Sequence, residues 1–412
     1  HQPLVAVHGA SSKLLQSSPL SGRGDVCVAI TGGAGQIAYA LVPLLMQGLV
    51  FGPGRKVRLR LLDIEACAGA LEGVAMEIKD CYCDLVTEVV TTSDPEVAFQ
   101  GADVAVLLGG FPRLPGMERR DLIAKNVPIM AEHGRALAKC AKAGVRVLVV
   151  ANPACTNCLI ASTSAPSIPR CHFSSLARLD QDRLSAMLSE KIQSGNPLQS
   201  ASKTYAASAG SAAAARAAAE ATTTASRRLV RGVHVWGNHS PTMWPDVSRA
   251  EANVDGRWVP VEEALHQHDG GSQNRGQGSG ALDADSAWCS WVSQTLVPAV
   301  RERGTKVIET RGKSSALSAA NAIANHLKDW LSVTTSADVS MGVFSDGNPY
   351  GIPAGLVYSF PVECGEGRHR ILKGFGPNVA MLEESAQELL EERREAMETL
   401  DMLRESELQA HP

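Results

Sequence analysis

The sequence predicts an α/β protein: a doubly wound parallel sheet in its first part and a mixed α/β region after it. Three observations carry this. Continuous apolar runs rich in Val, Ile and Leu recur at 26–30, 57–62, 104–108 and 145–150. Segments with helical spacing of apolar residues lie between them, as at 37–45, and a turn containing Gly32, Gly33 and Gly35 joins the first run to the first helix. Strands that alternate with helices and stay apolar on both faces pair in parallel, with helices covering each side.

Length and composition set outer limits. A chain of 412 residues, 44% hydrophobic, has enough apolar material for more than one domain. The formal net charge of -4 argues against nucleic acid or an anionic membrane as a partner. No apolar stretch approaches the roughly 20 residues that cross a bilayer. Ten cysteines, mostly inside apolar segments, fit a reducing compartment rather than a disulfide scaffold. Cys155 and Cys158 form a C-x-x-C pair without a second pair at zinc spacing, so two small buried thiols are the better reading. The histidines show no ligand spacing either, and no metal is expected.

Taken in order, residues 1–24 contain no acidic residue and five serines, the composition of a flexible extension or the remains of a targeting segment. The strand at 26–30 leads into the glycine turn and helix, which place backbone N–H groups at the positive end of a helix, where a pyrophosphate can sit. On its own, Gly32-x-x-Gly35-x-x-Ala38 is equally compatible with a purely structural turn. The next strand strengthens the cofactor reading, because it ends in Asp63, where a carboxylate accepts hydrogen bonds from an adenosine ribose and repels a 2′-phosphate. NAD is therefore favoured over NADP.

After the strand at 104–108 the chain breaks into "GGFPRLPGMERRD", with Arg113 and Arg119 beside Pro112, Pro115 and Gly116. Loops after parallel strands lie at the ligand edge of such a sheet, so these arginines are placed to fold over an anion, although a solvated basic loop has the same composition. Asn152 and Pro153 end the strand at 145–150. Asp180 and Arg183 stand at i and i+3 on a helix, a spacing also common in surface ion pairs. His239 follows a short strand in a turn with Gly237, Asn238 and Ser240, while His234 lies within the strand and reads as structural.

Two stretches interrupt the pattern. The segment 193–226 is rich in Ala, Ser and Thr and offers no large apolar stripe, and 266–285 is polar and glycine-rich; both read as exposed insertions. Leu382, Ala386, Leu389, Leu390, Met397, Leu400 and Leu403 fall at helical spacing in a docked C-terminal helix.

Together "TGGAGQIAYAL", "PRLPGMERRDL", "ANPACTNCL", "RLDQDR", "WGNHS", "SSALSAANAI" and "VSMGVFSDGNPYGIP" resemble the cytosolic malate dehydrogenases of the lactate/malate dehydrogenase superfamily, from about Val26 to Leu403. The resemblance implies a Rossmann NAD-binding domain over 25–174 and a mixed α/β catalytic domain over 175–412. It also implies a cytoplasmic homodimer acting on malate and oxaloacetate, although the N-terminal extension leaves organellar import open. By the same resemblance His239 is the catalytic acid and base, and Asp180 orients it. Arg183 grips the substrate C1 carboxylate, Arg119 polarises the carbonyl and Arg113 reads the distal carboxylate. Gly32, Gly35, Gln36 and Ile37 meet the pyrophosphate, Asp63 the adenosine ribose, and Asn126 and Asn152 the nicotinamide half, with Asn152 also beside the substrate. Departures such as "NPACTN" and Leu114 leave each of these residues in place.

Overall fold

The computed structural model describes residues 24–112, 116–194, 229–266 and 287–410. Arg113, residues 1–23 of the extension, and 195–226 and 267–285 of the two insertions lie outside the described residues. The helix before the first insertion runs on through Ser194, so residues 193 and 194 are helical rather than part of a loop.

Six parallel strands form the first part of the sheet: β1 (Val26–Thr31), β2 (Val57–Leu62), β3 (Val86–Thr92), β4 (Val104–Leu107), β5 (Arg146–Val149) and β6 (Phe173–Ser175). Helices α1 (Gln36–Met46), α2 (Ala68–Asp80), α3 (Pro95–Phe99), α4 (Arg119–Cys140) and α5 (Ala154–Thr163) connect them. Every residue of β1, β4 and β5 is buried, the burial expected of strands covered on both faces. Arg146 is the exception in chemistry: it lies on β5 and is buried, and its Nε donates to the Gly367 carbonyl at 2.5 Å.

The spatial order across these strands is β3-β2-β1-β4-β5-β6. The order reverses between β1 and β4, which opens a crevice beyond their carboxyl ends. A mixed second region follows: α6 (Arg178–Ser194), the short strands β7 (Val230–Arg231), β8 (His234–Trp236), β9 (Trp244–Asp246), β10 (Glu251–Val254) and β11 (Arg257–Pro260), then α7 (Val261–His266), α8 (Val297–Arg311) and α9 (Leu317–Leu331). Strands β12 (Ser336–Phe344), β13 (Val357–Gly365) and β14 (Arg368–Ile371) then join the main sheet antiparallel, through Gly342 opposite Ser175, and make it nine-stranded. The second region thus shares its sheet with the first.

Two apolar clusters hold the parts together. The larger one lines both faces of the main sheet and includes Trp236, Trp330, Tyr358 and Phe360, each fully buried. The smaller packs α6, through Leu184, Leu188 and Ile192, on Val230, Val235, Ala252 and Val300. The terminal helix α10 (Val379–Ala410) lays Leu382, Ala386, Leu389 and Leu400 of the expected stripe on the larger cluster together with Ala396, with Leu390, Met397 and Leu403 partly buried against it. It packs against α4 and α5.

Candidate active site

The crevice between β1 and β4 is shaped by close backbone approach. Gly32, at φ +67, lies so near Gly109 that a Cβ on Gly32 would stand 3.0 Å from the Gly109 Cα. A Cβ on Gly109 would in turn stand 2.8 Å from the Gly32 amide nitrogen, so this close approach of two backbones, together with the positive φ of Gly32, is the reason for glycine here. Gly35 precedes α1 with no side-chain cap, so the first amides of that helix are not satisfied by a capping side chain. Gly35 and Gln36 are exposed and Ile37 is half-buried. Asp63 stands at the end of β2, where Oδ2 accepts from the Ala34 amide at 2.9 Å and Oδ1 from the Ile64 amide at 2.9 Å. A cradle of this kind, with a carboxylate at its far end, fits the pyrophosphate and ribose of a dinucleotide.

A histidine–carboxylate pair assembles from two separate elements. α6 begins directly after β6, and its first turns carry Asp180 and Arg183. The spacing is not that of a surface pair here: the Asp180 side chain is 3% exposed and that of Arg183 10%. Arg183 Nη1 donates to Asp180 Oδ1 at 3.0 Å and Nη2 to Ser315 Oγ at 3.2 Å. From the other side, the turn after β8 brings His239 Nδ1 to 2.5 Å from Asp180 Oδ2. Because a carboxylate only accepts, Nδ1 carries the proton and Nε2 is left for another partner.

The charges reinforce each other. The Asp180 carboxylate raises the His239 imidazole above its ordinary value of 6.5, against burial and the nearby Arg183 and Arg119, which lower it. Burial alone would raise Asp180, but His239 and Arg183 outweigh it and hold the carboxyl below its ordinary 3.8. A histidine pinned at one nitrogen by a buried carboxylate can donate a proton through the other and take it back.

The turn that carries His239 is fastened to α10. Gly237 adopts φ +91, and a Cβ there would stand 2.3 Å from Ser385 Oγ; glycine is what permits the approach. The Asn238 amide then donates to Ser385 Oγ at 2.7 Å, while Ser240 Oγ at 2.5 Å and Thr242 Oγ1 at 2.7 Å donate to Glu388 Oε2. One turn further along, Glu392 accepts from Asn238 Nδ2 at 2.8 Å, from Thr156 Oγ1, and from Arg119 Nε at 2.5 Å. Arg119 is the first residue of α4, so its side chain starts from a helix end rather than from the loop before it.

Four of the residues singled out in the sequence come together among the described residues. His239, Asp180 and Arg183 are in direct contact, and Arg119 is close enough to bear on the His239 charge. Asn152 is exposed just ahead of α5, across a cis peptide bond to Pro153. Asn126, expected at the nicotinamide half, is 0% exposed. Its Oδ1 accepts from the Phe111 amide at 2.8 Å and its Nδ2 donates to the Leu122 carbonyl at 2.9 Å, so its carboxamide ties α4 to the loop after β4. The loop backbone has a buried partner in Asn126. Cys155 and Cys158 are free and buried, and burial pushes the Cys155 thiol up to about 12, as inert structural thiols require. His234 is likewise buried, edge-on to Phe375. Sequence reasoning missed Ser315, Ser385, Glu388 and Glu392, whose small polar and acidic types are indistinguishable in sequence from helix surface.

Residues 26–174 match the family model described as lactate/malate dehydrogenase, NAD binding domain, and residues 280–400 match that of the lactate/malate dehydrogenase alpha/beta C-terminal domain. The chain is 40% identical over 377 residues to the cytoplasmic malate dehydrogenases of Gallus gallus and Homo sapiens, covering 90% of this chain and 97% of each relative. Among solved structures, the malate dehydrogenase of Naegleria fowleri is 33% identical with a TM-score of 0.72, covering 92% of this chain and 99% of that one. The Trichomonas vaginalis lactate dehydrogenase in complex with NADH and oxamate is 30% identical with the same TM-score and coverage.

Proposed function

The chain belongs to the lactate/malate dehydrogenase family and is an NAD-dependent dehydrogenase; on that premise we propose that malate and oxaloacetate are its substrates and that His239 is the general acid and base. The observation that carries the proposal is the contact of His239 with buried Asp180, which Arg183 also binds. Bound NAD supplies the hydride acceptor for malate oxidation and, once reduced, the donor for oxaloacetate reduction.

The chain's own residues do the rest. In oxidation His239 Nε2 takes the malate hydroxyl proton as the C2 hydrogen leaves, and the Asp180 carboxylate stabilises the imidazolium that forms. In reduction the same proton returns to the carbonyl oxygen. Arg183 holds the C1 carboxylate with its planar fork, Arg119 polarises the carbonyl, and Arg113, assigned by resemblance alone, meets the distal carboxylate. The glycine turn and α1 amides receive the pyrophosphate, Asp63 the adenosine ribose, and Asn152 borders the nicotinamide. The cytoplasmic location and homodimer belong to the same proposal; a monomer mass in sedimentation equilibrium would remove the second.

The test is His239→Asn, which keeps a polar side chain of similar reach and removes the titratable nitrogen. Turnover of oxaloacetate with NADH is expected to fall at least about a hundredfold while NADH binding, followed by fluorescence, stays nearly intact. Near-normal turnover would send the acid–base role to another residue.

A further inference from the structure

Glu392 is a carboxylate without an assigned purpose. It lies on α10, is 4% exposed, and is far in sequence from every residue proposed to touch substrate. A buried carboxylate is costly unless it is paired and hydrogen-bonded, and this one is bonded on three sides. Its partners come from three walls of the cleft: Arg119 at the start of α4, Thr156 on α5, and Asn238 next to the acid–base histidine.

The Arg119 contact has a particular form. Glu392 Oε1 takes the Nε proton, at 2.5 Å, and not one of the terminal nitrogens. A guanidinium held at Nε has its plane fixed: Nη2 shares the tethered edge with Nε, and Nη1 lies on the opposite edge. The Arg119 side chain remains 30% exposed, yet Nη2 is itself buried with no hydrogen-bond partner among the described residues.

We propose that Glu392 is the positioning residue for Arg119: it anchors Nε so that Nη1, on the free edge, is presented to the carbonyl oxygen of the 2-oxo acid. The inference rests on the polarising role proposed for Arg119. It requires neither a dicarboxylate substrate nor Arg113, because the carbonyl is common to all 2-oxo acids. Pre-set orientation of this kind lowers the reorganisation needed when charge develops on that oxygen. Glu392 does not touch the substrate, and its effect passes wholly through Arg119.

A double-mutant cycle with Glu392→Gln and Arg119→Gln separates this from a general packing role. The readout is kcat/KM with NADH and whichever of oxaloacetate, phenylpyruvate and pyruvate the unmodified enzyme reduces fastest. A failure of the malate assignment therefore leaves the test in place. Glu392→Gln, which keeps the shape and loses the charge, is expected to lower kcat/KM about tenfold to a hundredfold and to leave the Kd for NADH within about twofold. In the Arg119→Gln background the same change is expected to cost less than about twofold, because the anchored group is gone. Losses that multiply in full would show that Glu392 acts through Asn238 and the histidine turn, and would overturn the proposal, as would an unaffected Glu392→Gln. Should that variant not fold, solvent exchange of the Arg119 Nε–H in the unmodified enzyme, read by 15N NMR, decides the matter. Protection against exchange is expected, and exchange at the rate of a free guanidinium would contradict the anchor.

Discussion

Asp180 decides the protonation of His239, since it is the carboxylate that raises the imidazole above 6.5. In the proposed mechanism reduction needs the protonated histidine, so kcat/KM for oxaloacetate is expected to hold below the raised value and fall as pH rises through it; malate oxidation should show the reverse dependence. Asp180→Asn keeps the shape and removes the charge. The midpoint of the reductive profile should move to lower pH, with turnover reduced because the imidazolium loses its counter-charge. A midpoint that stays put or moves up would mean that another group sets the profile. The residues that resembled a family motif, His239, Asp180 and Arg183, were legible because each sits in a short local string. Their contact was not, since i and i+3 spacing says nothing about burial, and only the packing of α6 takes Asp180 to 3% exposure. Glu392 was invisible, one of several glutamates in "LEESAQELLEERRE". The burial of Asn126 and its hydrogen bond with the Phe111 amide were not legible either, since both depend on how α4 packs against the loop after β4.

The strands β1, β2, β4 and β5 lie within a residue of where their apolar runs predict, because a strand buried on both faces has to be apolar throughout. The antiparallel addition of β12 to β14 to the same sheet was not legible, since an apolar run does not encode which edge it will pair with. Helix α10 has two duties on two faces. One carries the apolar stripe; the other carries Ser385, Glu388 and Glu392 into the cleft wall. The two should separate by mutation. Leu400, 0% exposed on the apolar face, sits eight residues beyond Glu392, and Leu400→Ala is expected to cost about 2–5 kcal/mol in chemical denaturation while leaving kcat within about twofold. A loss under about 1 kcal/mol would mean that the helix end is not held by the core.

At the scale of the whole chain, six parallel strands reverse their order at β1 and β4 and so open a crevice at their carboxyl ends. α6 and the turn after β8 bring Asp180 and His239 together, and α10 links that turn to α4. Fold and family follow from this frame, but the substrate depends on charges over the cleft. Pyruvate and oxaloacetate share the carbonyl and the first carboxylate and differ in the second, which Arg113 is proposed to meet. An arginine closed over a substrate without that carboxylate would be left unpaired, at a cost of several kcal/mol. The most direct measurement is kcat/KM of the intact enzyme with NADH for oxaloacetate, pyruvate and phenylpyruvate under one set of conditions. The account predicts oxaloacetate ahead of the other two by about a hundredfold or more. Equal or better use of either monocarboxylate would contradict it.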